Sequence, residues 1–110
     1  MAYDQDLAAR LRAELEGAPG ITEKAMFGGL AFLVDGHLAV AAANSGGLLL
    51  RADPERVADL LEHDGVTRFE MNGRELTRWL HVELDPQVSA AEVRQWVDLG
   101  IGYARTLTRH

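Results

Sequence analysis

Two glutamates in the second half of the chain have the spacing that general acid–base chemistry needs. Asn72-Gly73 stands between two alternating runs, and Asn-Gly strongly favours a two-residue β-turn. The resulting register puts Glu70 directly opposite Glu75, where two carboxylates could exchange a proton with a substrate. Arginines interleave with them, so a solvated face of mixed charge is the more common outcome of this pattern. These arginines form a candidate basic patch: Arg68, Arg74 and Arg78.

Two glycine pairs are the next candidates, because glycine lets the backbone approach a phosphate closely. Gly28-Gly29 follows Met26-Phe27, and Gly46-Gly47 precedes an apolar run. Neither pair is followed by the Gly-Lys-Ser/Thr of a phosphate-binding loop, and neither has the spaced glycines of a dinucleotide site. Glycine in a strand more often marks a bulge or a close backbone approach. We therefore expect a structural role for both pairs.

The remaining polar side chains predict no catalytic, metal or cofactor site. No serine, threonine or lysine has a base placed beside it by a recognisable motif. The histidines lack the paired spacing that places two imidazoles on one metal ion. They stand on a predicted turn, a helix end, a strand and the C-terminus: His37, His63, His81 and His110. We assign no catalytic residue, metal ligand or cofactor, and expect a protein that is not an enzyme.

Charge and composition restrict the partner and the compartment. The 110 residues carry 17 acidic and 11 basic side chains, a net charge of −6 that repels a nucleic-acid backbone. Without cysteine, the chain can form neither disulfides nor thiolate metal sites. It shows no secretion signal and no apolar run of ~20 residues. We expect one cytoplasmic domain over residues 1–110, with direct nucleic-acid binding disfavoured and no membrane insertion.

An α+β fold must position these residues. Helices are predicted near the N-terminus, for about three turns after Asp53-Pro54, and from Ser89 onward. Apolar runs punctuated by Asp35-Gly36 and Gly46-Gly47 predict three antiparallel strands, and Asn72-Gly73 predicts two more. The predicted order is α-β3-α-β2-α, a two-layer fold in which helices cover one side of an antiparallel sheet.

The first hairpin is apolar on both faces, which indicates association. Its Asp35-Gly36 turn predicts Leu33 opposite Leu38 and Phe32 opposite Ala39. One face can be buried under the helices. The other needs a cover, from the protein's own termini, a second subunit or a ligand.

The second hairpin has the alternation of a strand pair that is buried on one side. The Asn72-Gly73 turn puts Phe69 on the face that Leu80 continues toward the helices. Trp79 is expected on the opposite face, together with the two glutamates.

Two glycines in the last helix also need an explanation. Gly100 and Gly102 each cost about 1 kcal/mol relative to alanine in a helix interior. They indicate either a smooth surface that another element approaches, or a helix end that frays or kinks.

With these residues in view, the chain resembles the TfoX N-terminal-domain family, also called TfoX/Sxy. The resemblance rests on "KAMFGGLAFLVDGHLAV", a glycine-rich turn into "LLLR", then "GRELTRWLHVE" and a terminal amphipathic helix containing Trp96. It extends over residues 5 to 107, and its most specific part is Met26-Phe27-Gly28-Gly29 followed by the Asp35-Gly36 hairpin. It implies a two-layer α-β3-α-β2-α fold similar to that of secretion chaperones, which are small, acidic and dimeric.

The resemblance also bears on function. The family takes its name from regulators of natural competence for DNA uptake, which carry a second, C-terminal domain, and we expect this chain to be a single-domain member. The family has no agreed catalytic residues, so none is carried across. What transfers is the Met26 to Gly29 motif, as a structural or binding feature.

Three functional hypotheses follow. The first is a non-enzymatic, cytoplasmic regulatory or protein-interaction module, a homodimer or bound to a protein partner, with a link to transcription or competence regulation. The alternative is a small-molecule-binding protein or enzyme with a pocket near Met26, Phe27, Gly28, Gly29 and Trp79. The third, direct DNA binding through the candidate basic patch, requires a local basic face that outweighs the net charge.

Overall fold

One antiparallel sheet and three helices make up the described part of the chain. A computed structural model describes residues 5–26, 28–43, 46–71, 73–85 and 87–107, and only the backbone of residues 71 and 74–78. The sheet has six strands in the order β1-β2-β3-β4-β6-β5. In chain order the elements are α1 (Gln5–Leu15), β1 (Ile21–Met26), β2 (Gly29–Val34), β3 (His37–Ala42), β4 (Leu48–Arg51), α2 (Val57–Leu60), β5 (Val66–Met71), β6 (Arg74–Val82) and α3 (Ala90–Leu107).

The predicted α+β class, an antiparallel sheet covered by helices, is confirmed. The strand count is not, because four strands rather than three precede α2. The additional strand arises at Gly28, whose φ of 75° lets the chain reverse between Met26 and Gly29, which are paired across the turn. The run before Asp35-Gly36, predicted as a single strand, is therefore a hairpin of β1 and β2.

The second helix is much shorter than the three turns predicted. α2 has four residues, because residues 54–56 form turns before it and it ends at Leu60. Asp53 caps those preceding turns: its Oδ1 accepts a hydrogen bond from the backbone N–H of Glu55 at 2.9 Å. Only Val57 and Leu60 of this helix are buried, so a single turn is enough to fill the space against the core.

The hairpin predicted around Asp35-Gly36 is formed by β2 and β3. It has the predicted turn but a shifted register. Leu33 pairs with Leu38 as expected, whereas Phe32 pairs with Val40 and not with Ala39. A β-bulge at Ala39 adds one residue to β3 at this point. Ala39 instead forms a small buried cluster with Val34 and Ala104, the latter on α3.

The other predicted hairpin is formed by β5 and β6. The alternate residues that lie on its helix-covered face are not the same set along its whole length. Its outer part has the predicted register, with Phe69 opposite Leu76, but Arg68 pairs with Leu80, so three residues of β6 intervene. An odd number of extra residues reverses the alternation. The prediction that Phe69 and Leu80 share the helix-covered face is therefore wrong: Leu80 lies on that face, and Phe69 packs on the other side of the sheet.

Both faces of the central strands β2, β3 and β4 are buried within the single chain. α1 and α3 cover one face, where the largest fully buried side chains include Leu11, Phe32 and Leu50. On the opposite face lies a second apolar cluster, of Ala31, Leu38, Ala41, Ala43 and Leu49, against which half-buried Met26, Leu33, Phe69 and Trp79 pack. Phe69 and Trp79 belong to the β5–β6 hairpin, so part of the cover comes from the chain's own hairpin and not from its termini.

α3 approaches the sheet most closely at one of its two glycines. A Cβ atom on Gly100 would lie 2.6 Å from the backbone oxygen of Ala39 and 2.8 Å from Cγ1 of Val40. A Cβ on Gly102 would meet nothing within 4 Å. The close approach of α3 to β3 of the same chain therefore explains the glycine at position 100. Within the described residues, no helix is long and apolar enough to cross a membrane.

Candidate interaction surfaces

The Met26 to Gly29 motif forms the turn of the β1–β2 hairpin. Gly28 is exposed with a positive φ, a conformation that side chains rarely adopt, while Gly29 is buried at the start of β2. Phe27 lies outside the described residues. Met26 is half-buried and packs against the second apolar cluster. In this geometry the motif reverses the chain and anchors the hairpin on that cluster.

Trp79 reaches the same cluster from a different strand. Its backbone pairs with that of Arg51 in β4, and its half-buried ring packs against the second apolar cluster. The structure thus brings Met26 and Trp79, two of the predicted site residues, to one face of the sheet. Four grooves among the described residues have linings that include neither of them.

The two predicted charged clusters are only partly described. Arg68 is exposed on β5, whereas Arg74 and Arg78 have side chains outside the described part, so the basic patch stays a prediction. The backbone register places Glu70 directly opposite Glu75 as expected. Glu70 is exposed to solvent on β5. Among the described residues, no group of three or more histidine and carboxylate side chains could hold a metal ion.

A groove beside α3 was not anticipated from the sequence. It has a volume of about 750 Å³ and lies between the α2 region and the outer side of α3, with Leu60, Trp96 and Leu99 as its apolar lining. A smaller groove of about 240 Å³ shares Leu60 and Leu99 and continues toward Tyr103. We call the two together the α2–α3 groove.

Trp96 is the most unusual residue of the α2–α3 groove. The residue is only 7% exposed, and its indole Nε1 has no hydrogen-bond partner, the one buried side-chain atom in the described residues of which this is true. A buried donor without an acceptor costs about 1–3 kcal/mol. The imidazole of His63 meets the indole edge-on, with ring centroids 5.7 Å apart and planes at 78°. In the sequence, Trp96 looks like an ordinary core position on an apolar stripe, so nothing there indicates the unmet donor.

The walls of the larger groove are mainly acidic. Three carboxylates line it, against one arginine, Arg56, and the imidazole of His63. The carboxylates belong to Asp64, Glu92 and Asp98. This excess of negative charge follows the net charge of the whole chain and favours a positively charged occupant.

Two surface ion pairs connect α1 to its neighbours, in addition to its buried side chains. Arg12 binds Glu23 of β1 through two contacts of 2.8 and 3.0 Å, and its hydrogen bond lowers the pKa of the Glu23 carboxyl below the ordinary value. Arg94 of α3 donates to Glu14 at 3.0 Å, and this hydrogen bond raises the pKa of the Arg94 guanidinium. α1 is thereby tied both to the edge of the sheet and to α3.

The fold and the sequence together define the class of protein. The described part of the chain has an α+β fold of one antiparallel sheet and three helices, and the family model of the TfoX N-terminal domain matches residues 13–104. The chain belongs to the TfoX N-terminal domain family. No curated protein and no solved structure gives a significant match.

Proposed function

We propose that this chain is a non-enzymatic, cytoplasmic regulatory module of the TfoX N-terminal-domain type that acts by binding other proteins. It works as a homodimer or with a protein partner, and its regulatory output is in transcription or competence, as the family name implies. The observation that carries the proposal is the α2–α3 groove with the unpartnered indole of Trp96. The groove combines an apolar lining with charged walls, beside a buried donor that has no acceptor among the described residues.

The apolar faces of the sheet are already buried, which favours the groove as the contact site. Both faces of the first hairpin are buried by the chain itself, so the association surface first expected there is already in use. The groove, in contrast, keeps Leu99 half-buried next to Trp96 on the outside of α3. A hydrophobic floor with charged walls is typical of a protein that binds an amphipathic segment.

The charge of the groove selects among protein partners. With three carboxylates and one arginine on its walls, it favours a segment that has apolar residues on one side and lysine or arginine on the other. We therefore take the occupant to be a basic amphipathic segment of a partner protein.

A peptide titration tests this function. The probe is a synthetic helical peptide of leucine and lysine, and the readout is the indole N–H resonance of Trp96, assigned by comparison with Trp79→Phe. We expect the resonance to shift with the basic peptide, and the affinity to fall about tenfold in Asp64→Asn/Asp98→Asn because two wall charges are removed. Glu55→Gln/Asp59→Asn is the matched control, since it also removes two charges and both residues are exposed outside the groove linings.

Two results would contradict the groove as the binding site. One is an unchanged Trp96 resonance at saturating peptide. The other is equal binding of a leucine–glutamate peptide of the same length, because the acidic walls would then have no role in recognition.

A small-molecule-binding function is the second candidate. It is favoured by the convergence of Met26 and Trp79, each half-buried, on the second apolar cluster. Titration with a small apolar dye should then quench Trp79 fluorescence in Trp96→Phe, and Met26→Ala should weaken that response. Absence of quenching would leave protein binding as the only function supported by these two surfaces.

A further inference from the structure

The sheet has two edges, and their charge patterns differ in a way that bears on self-association. β1 and β5 are the edge strands, and among the described residues each pairs with one neighbour only. Edge strands offer unpaired backbone N–H and C=O groups to another chain. We propose that β5 pairs with β5 of a second copy of this chain, antiparallel and centred on Phe69. This inference rests on the self-association in the proposed function and names the surface that carries it.

Symmetry limits the possible registers of such a pair. Two identical antiparallel strands side by side are related by a two-fold axis perpendicular to the sheet. Residues directly opposite each other point to the same face, so every permitted register is centred on a residue and not between two. For β5, the registers that pair the greatest length of strand are centred on Arg68 or on Phe69.

Charge decides between these two registers. Centring on Phe69 places Arg68 opposite Glu70 of the second copy, and the symmetry repeats this pair. Centring on Arg68 places one arginine opposite the other. Arg68 and Glu70 are both exposed, and within the described part of the chain neither makes an ion pair, so both are available to a second copy.

A carboxylate on the neighbouring strand also favours a cation next to Glu70. The β5–β6 register places Glu75 directly opposite Glu70 in the same chain. Like charges directly opposite each other destabilise a sheet. Arg68 of a second copy would approach Glu70 from the open edge and offset that repulsion.

The other edge strand shows the reverse pattern. The registers that pair the greatest length of β1 are centred on Glu23 or on Lys24, and each places identical charges opposite each other at the two-fold axis. Glu23 is in addition already bound to Arg12. The β1 edge is thus protected against self-pairing, and the β5 edge is suited to it.

Charge-reversal variants measured by sedimentation equilibrium test the proposal. Arg68→Glu places glutamate opposite Glu70 twice per dimer, so the dimer dissociation constant should rise about tenfold or more. The double variant Arg68→Glu/Glu70→Arg restores both pairs and should return the constant to within about threefold of the original. Lys24→Glu, which makes a similar change on the β1 edge, is the control and should leave the constant unchanged.

A single introduced cysteine then locates the interface. The chain has no cysteine of its own, so any disulfide must join two copies. Phe69→Cys lies on the proposed two-fold axis and should give a covalent dimer on mild oxidation, whereas Lys24→Cys, on a two-fold axis that a β1 pair would use, should not.

The outcomes separate this inference from the proposed function. A protein that stays monomeric at every concentration overturns the β5 pairing, while peptide binding in the α2–α3 groove is measured independently. A dimer that is indifferent to the charge at position 68 also overturns it, because the copies would then associate through a different surface.

Discussion

Gly100 shows how one missing side chain sets the distance between a helix and a sheet. Replacing it with alanine puts a Cβ atom 2.6 Å from the oxygen of Ala39, closer than real Cβ contacts. The obstructing atom belongs to the backbone of β3, so α3 has to move. We expect Gly100→Ala to lower the free energy of unfolding by about 1–3 kcal/mol, measured by urea denaturation.

Gly102 provides the matched control for this prediction. It lies two residues further along the same helix and is exposed, and an added Cβ would meet nothing. Gly102→Ala should therefore raise the free energy of unfolding by up to about 1 kcal/mol, through helix propensity alone. If both variants were stabilised equally, the close packing of α3 on β3 at Gly100 would be wrong.

The sequence could not distinguish these two glycines. Both stand in the same apolar helix with the same intrinsic cost, and only the position of Ala39 across the helix–sheet interface separates them. Trp96 is similar: its burial follows from the apolar stripe of α3, but its unmet Nε1 depends on which polar groups α2 brings nearby. Roles that depend on a distant part of the chain leave no local signal.

At the scale of elements, substitutions in β4 show whether both faces of the central sheet are buried within the single chain. Leu49 faces the second apolar cluster and Leu50 faces the helices, and both are fully buried. We expect Leu49→Ala and Leu50→Ala each to lower the free energy of unfolding by about 2–5 kcal/mol. The denaturation is measured at a low protein concentration, so that a second copy contributes nothing.

A small effect of Leu49→Ala under these conditions would contradict the structure. It would mean that the second face is exposed in the isolated chain and covered only in an assembly, as the alternation of the first hairpin at first indicated. Repeating the measurement at a high concentration would then recover the missing destabilisation.

Local turn chemistry accounts for what could be predicted about the strands. Asp35-Gly36 and Asn72-Gly73 fix the residues beside each turn, and there the predicted pairs are found. Further along, the bulge at Ala39 and the three-residue irregularity before Leu80 change the register. At the bulge, Ala39 packs against Ala104 of α3. At the irregularity, the hairpin packs against the second apolar cluster. Both contacts join parts of the chain that are distant in the sequence. The face of Phe69 could not be predicted for this reason.

At the scale of the whole molecule, charge is the property that composition predicts best. The net charge of −6 appears locally as the acidic wall of the α2–α3 groove. The described ion pairs, Arg12 with Glu23 and Arg94 with Glu14, each join one positive and one negative charge, so they leave this excess unchanged. The pKa of Glu23 is lowered in the folded state, so this pair stabilises the fold above the ordinary carboxyl pKa, and that stabilisation disappears as the pH falls through the lowered value. Because both partners are well exposed, its contribution is at most about 1 kcal/mol.

The same charge predicts how the protein behaves toward DNA. We expect no binding to a fluorescently labelled duplex at about 50 mM salt, measured by anisotropy, because a phosphate backbone is repelled by the excess of carboxylates. A variant in which Asp64, Glu92 and Asp98 are all replaced by lysine has no excess negative charge and serves as the positive control.

If the unmodified protein bound and its affinity fell steeply with salt, a local basic face would be outweighing the net charge. Arg68→Glu would then show whether the β5 edge carries that face, since removing an arginine that binds a phosphate should flatten the salt dependence.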